Sequence, residues 1–179
     1  MKKPETLRWT LSALFLALGF VLPFITIHPE IGRMLLPMHL PVLLCGFVCG
    51  WPYGLLVGFV TPLLRSLLFG APLMVPFAVA MAFELAAYGS LTGLFYAWLP
   101  LKRARVFISL LVAMLFGRLV WGLLSWLLYA LIMPEPFTLA LFWAGAFAKA
   151  WPGILAQWIL VPSMVLALKG ARVIPLDNR

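Results

Sequence analysis

Residues 106–133 form one uninterrupted apolar run whose only charge is Arg118. The run exceeds the roughly 20 apolar residues that carry a helix across a hydrocarbon core of about 30 Å. A soluble domain would have to bury such a helix on every side. The rest of the chain follows suit: it is 65% hydrophobic and 10% charged, with a mean hydropathy of +1.10. Soluble domains carry about 25% charged residues. In lipid every backbone polar group must be satisfied internally, and continuous apolar runs without alternation select the helix. The expected fold class is therefore an all-α membrane protein of six transmembrane helices. The spans fall at about 10–27, 38–50, 53–69, 76–99, 106–133 and 139–168, and residues 1–179 read as a single integral membrane domain.

Punctuation between the spans comes from HPEIGR, GWPYG, FGAPLMVP, PLKRAR and MPEPF. These combine the Gly, Pro and charged residues that end helices. The second and third spans are short, and the WPYG between them predicts a tight helical hairpin. Gly46, Gly50, Gly54 and Gly58 recur at every fourth residue, a spacing that lets helices approach closely. Pro52 interrupts that run, so it is not read as one continuous face. The first span is long enough to cross and lacks an A-x-A-like site, so it is expected to be retained and not cleaved as a signal.

The formal charge of +8 is a statement about topology. Lys2, Lys3, Arg8, Lys102, Arg103, Arg105, Lys169, Arg172 and Arg179 all fall on one side of six spans, whereas Arg33 lies on the other. The positive-inside rule then places both termini in the cytoplasm. No nucleic-acid partner is needed to explain the basic excess.

Four charges lie inside the spans: Arg65, Glu84, Arg118 and Lys149. A charge at mid-bilayer costs about 2.5–3.5 kcal/mol on insertion scales, and such residues face a bundle interior and find partners. At about 1.5 Å of rise per residue, Glu84 and Lys149 reach matched depth and Arg118 lies deeper. A Glu84–Lys149 pair is thus expected, either as a structural tie or as the wall of a cavity. Arg65 is expected to snorkel to the headgroups. Tyr88 follows Glu84 by one turn. Arg118, Gly122, Ser125 and Tyr129 share one stripe, and Gly145, Lys149, Gly153 and Gln157 another. Trp121, Trp126, Trp143 and Trp151 lie near these stripes, giving an aromatic-rich surface with few polar groups, as small-molecule sites have. His28, Arg33, His39 and Arg65 are placed at or near the outer surface. With Arg118 and Lys149 they make a path that favours an anionic solute; the equal alternative is that the arginines meet lipid phosphates and the histidines are neutral loop residues.

Other functions find little support. Cys45 and Cys49 share a helix face but have only His39 nearby as a third ligand, so they read as packing residues and no metal is expected. The chain has no G-x-x-x-x-G-K-[ST] phosphate loop. One acidic residue in the spans is too few for an intramembrane protease or for metal-dependent lipid chemistry, so the chain is not expected to be an enzyme. A self-sufficient small secondary transporter using Glu84 for ion coupling is the alternative, and a ligand-free assembly subunit a third reading.

In the first span, SALFLALGF contains Ala13-x-x-x-Ala17. The stretch MLLPMHLPVLLCGFVCGWPYGLLVGFVTPLLRSLLFG follows. In these features, in length and in topology the chain resembles the substrate-binding S-components of energy-coupling factor (ECF) transporters. The resemblance implies a six-helix, N-in/C-in bundle of the bacterial or archaeal cytoplasmic membrane. It implies binding of a water-soluble vitamin or related micronutrient, a carboxylate-bearing one such as pantothenate or folate if the positive path decides. Ala13 and Ala17 would pack against the transmembrane coupling subunit. Two cytosolic ATPase subunits would use the ATP, so no cofactor is expected in this chain. The substrate would contact Glu84, Tyr88, Arg118, Ser125, Tyr129, Trp143 and Lys149, with Arg33 and His39 at the outer mouth.

Overall fold

The structure, a computed structural model, describes residues 4–25, 34–100 and 104–170. All regular structure among them is helical: α1 (Glu5–Ile25), α2 (His39–Cys49), α3 (Trp51–Phe69), α4 (Val79–Trp98), α5 (Ala104–Ile132), α6 (Leu139–Trp143) and α7 (Trp151–Gly170). A wide π-helical turn, Met74–Ala78, leads into α4, and another, Ala144–Ala148, continues α6. Five helices are long and apolar enough to cross a membrane: α1, α3, the unit Met74–Trp98, α5 and α7.

The second and sixth predicted spans behave differently. Helix α2 has 11 residues, about 16 Å at the usual rise and half a hydrocarbon core. Its shortness is tolerable because it does not face lipid: ten of its 11 residues are buried, and it packs against α1, α3, α4 and α7. The sixth predicted span is broken. Its π-helical turn ends at Ala148, Lys149 and Ala150 form a turn, and α7 starts at Trp151. The proposed stripe from Gly145 to Gln157 is therefore split between two helices.

Glycine builds the centre of the bundle. Gly50 takes φ +102°, a conformation costly for a side chain, and this turn joins α2 to α3. Both arms of the hairpin then lean on α4. A Cβ at Gly46 or Gly54 would strike the carbonyl of Gly89, and one at Gly58 the carbonyl of Leu85. On the facing helix a Cβ at Gly89 would meet the backbone of Gly54, and one at Gly93 that of Trp51. The interruption by Pro52 thus has an unexpected outcome: it splits the glycine run between two helices, yet three of its four members address the same partner. Such close backbone approach raises the van der Waals contact that holds helices together in lipid.

Aromatic contacts fix which helix ends lie together. Trp9 meets Tyr53 at a centroid distance of 5.2 Å, and Phe24 meets Phe69 at 5.0 Å, so α1 and α3 run parallel. Trp51, two residues before Tyr53, adjoins Gly93. Phe47 meets Tyr96 at 5.3 Å. Arg105 and Lys169 both lie over the Tyr96 ring. Arg8, Arg105 and Lys169 are therefore gathered at one end of the bundle.

Candidate functional site: a buried Glu84–Arg118–His39 cluster

Glu84 sits halfway along the unit Met74–Trp98, and Arg118 is the central residue of α5. The two helices pack closely because of Gly117, where a Cβ would overlap the Tyr88 ring. Tyr88, one turn from Glu84, fills the space that Gly117 leaves. That fit brings Arg118 Nη1 to 2.8 Å from Glu84 Oε1. The third member arrives from α2, where His39 Nε2 stands 3.6 Å from the same oxygen. The imidazole also meets the Tyr88 ring edge-on at 5.3 Å. All four residues are buried, with Tyr88 at 0%, Glu84 and His39 at 1% and Arg118 at 5% exposure.

The cluster cancels charge but leaves hydrogen-bonding capacity over. Glu84 Oε1 holds Arg118 by proximity of opposite charges, not by an aligned hydrogen bond. Arg118 Nε and Nη2, His39 Nδ1 and the Tyr88 hydroxyl have no hydrogen-bond partner among the described residues. Nor do the amide atoms of Gln157, fully buried on α7. A buried polar group left unpaired costs about 1–3 kcal/mol, more when charged. Buried groups in this state are sites where a water or a ligand atom is worth most.

Three expectations are corrected by this geometry. The partner of Glu84 is Arg118, not Lys149. The depth reckoning assumed an unbroken sixth helix, but the chain turns at Lys149 and leaves that side chain exposed. Arg118 is not deeper than Glu84 but level with it. His39, placed at the outer surface by its position before an apolar run, is instead in the core. It is the first residue of the inserted helix α2, so it enters the bundle at the depth of Glu84.

The other predicted residues divide. Ser125 is buried on α5, two turns beyond Arg118. Tyr129 is half-buried and packs on Phe137 at 5.3 Å. Trp143 is 56% exposed and lies 4.9 Å from Phe147. Around them runs an aromatic wall in which Trp121 contacts Phe137 and Phe142, with Gly122 seating the Phe142 ring and Gly145 seating Trp121. Arg33 lies outside the described residues. Arg65 does not extend freely: Nη1 donates to the Phe20 carbonyl at 3.0 Å, and the guanidinium lies 4.7 Å from the Phe24 ring centroid. Ala13 and Ala17 are exposed on α1, while Ser12, Phe15 and Gly19 take the inward face. Cys45 and Cys49 are buried thiols, the Cys45 thiol standing 3.8 Å from Ser12 Oγ. Gln157 was legible only as a member of a stripe. Its polarity at an inward i+4 position from Gly153 was the available signal.

A helical bundle with five membrane-length helices, a half-length helix in its core and a neutralised ion cluster at mid-depth defines a polytopic membrane protein with a buried polar centre. A family model described as "ECF transporter, substrate-specific component" matches residues 7–165. That is most of the chain, and the chain belongs to this family of transporter subunits. Comparison with curated proteins and with solved structures returned no match.

Proposed function

We propose that this chain captures a water-soluble vitamin or related micronutrient at the outer face of a cytoplasmic membrane. It then delivers the solute through a module made of a transmembrane coupling subunit and two ATPases, where ATP is used. The observation that carries the reading is the convergence of α2, α4 and α5 on Glu84 in a member of this family, with donors on Arg118, His39 and Tyr88 still unfilled. The basic end of the bundle, with Arg8, Arg105 and Lys169, is the cytoplasmic one by the positive-inside rule, which puts both termini inside.

The charge balance refines the substrate. Arg118 is already neutralised by Glu84 and Arg65 is engaged between α1 and α3. A carboxylate on the solute therefore calls on Lys149, exposed at the break before α7. The aromatic wall of Trp121, Phe142 and Trp143 suits a flat ring, and the Glu84–Arg118 pair forms a polar floor. Ion coupling by Glu84, the rival reading, is disfavoured because its charge has a fixed counter-ion. The exposed Ala13 and Ala17 on α1 support docking of the coupling subunit there.

The test is mass spectrometry of small molecules released from gently purified protein. The reading expects a vitamin-sized compound at near-stoichiometric yield, displaced by an excess of the same compound. Absence of any retained compound, together with failure to bind a panel of vitamins, would refute it.

A further inference from the structure

At the opposite end from the aromatic wall, Tyr96 carries two cations. The Arg105 guanidinium lies 4.1 Å from its ring centroid and donates from Nη2 to its hydroxyl at 3.1 Å. The Lys169 ammonium lies 5.1 Å from the same centroid. Among the described residues no carboxylate is within ion-pair distance of either cation; the carboxylate in the described ion pairs is Glu84. Arg105 is nonetheless 7% exposed, and its Nε has no hydrogen-bond partner among the described residues. Burying a cation without a counter-charge is unfavourable unless something supplies the anion. Arg105 is also the second residue of the 29-residue helix α5, whose dipole favours an anion at the same place.

The depth of this cluster points to the source of the anion. Trp9, Trp51 and Trp98 lie at the same end and are exposed by 52%, 49% and 80%. Exposed tryptophans mark the interface between hydrocarbon and headgroups. The cations on Tyr96 therefore stand at headgroup level. We propose that Arg105, Lys169 and the start of α5 bind the phosphate of one anionic phospholipid. Arginine provides planar donors to phosphate oxygens and lysine a point charge beside them. This site is separate from the solute site and does not rest on the proposed transport role.

The test is native mass spectrometry of the full chain exchanged into micelles doped with either phosphatidylglycerol or phosphatidylcholine. One phosphatidylglycerol should remain bound at collision energies that strip phosphatidylcholine. Lys169→Gln, in the last turn of α7, should lower retention about tenfold, and Arg105→Gln further. A thermal melt with added lipid provides a second readout for any variant that expresses poorly: phosphatidylglycerol should stabilise wild type and not Lys169→Gln. Equal retention of the two lipids, or unchanged retention in both variants, overturns the proposal. Stabilisation by inorganic phosphate but not by phosphatidylglycerol overturns the lipid assignment and identifies a free-phosphate site.

Discussion

Replacing Arg118 with methionine leaves the Glu84 carboxylate in the core with His39, at 3.6 Å, as its remaining ion-pair partner among the described residues. At 2.8 Å and an effective dielectric of about 20, the lost attraction is about 6 kcal/mol. The measurable loss is smaller, because the carboxyl can take up a proton instead of staying charged. Neutralising an ordinary glutamate at pH 7 costs about 3.7 kcal/mol, and that caps the effect. A loss of about 3–4 kcal/mol is expected, in the range found when one partner of a buried pair is removed. The double variant Glu84→Gln, Arg118→Met carries neither charge and should recover most of that loss, because swapping out both members of a buried pair is often near neutral. Unfolding free energies from titration with a denaturing detergent in mixed micelles, read by circular dichroism, complete the double-mutant cycle. The expected coupling is about 2 kcal/mol or more. A coupling below about 0.5 kcal/mol, the level at which independent sites add, would show that the pair holds nothing together.

The remaining expectations concern packing, substrate and docking. Gly89→Ala drives a methyl group into the backbone of Gly54, which cannot rotate away. It should cost about 1–3 kcal/mol in the same titration, and a neutral result would mean that α3 and α4 are farther apart. Lys149→Met should weaken binding of a carboxylate-bearing solute about tenfold or more by isothermal titration, with stability unchanged because the residue is exposed; unaltered affinity would remove Lys149 from the site. Ala13→Trp enlarges the exposed face of α1 and should abolish uptake in cells while leaving solute binding to the purified chain intact. Equal loss of both would count against docking there.

The legible part of this protein was what hydropathy and loop charge encode locally. Four predicted spans recur as membrane-length helices, the second as the shorter α2, and the sixth is broken with α7 as its long part; of the basic residues, the described Arg8, Arg105 and Lys169 lie at one end. Glu84, Tyr88 and Arg118 were legible as site candidates because a polar residue in an apolar helix needs a partner wherever the helix goes. The identity of that partner was not legible. Depth arithmetic along each helix assumes straight, continuous elements, and it failed where the chain breaks at Lys149. His39 was misplaced for a related reason: sequence alone marks where a helix starts, not how deep that start is set.

Sequence by itself determined the class of protein, its helical character and the presence of costly charges in its helices, because burial in lipid selects helices and penalises each unpaired charge residue by residue. Tertiary structure decided which charge meets which. Gly117 lets Tyr88 and Glu84 close on α5, and the glycines of α2, α3 and α4 let a half-length helix enter the core. The Glu84–Arg118–His39 contact is the product of those close approaches, and their distances depend on three helices at once.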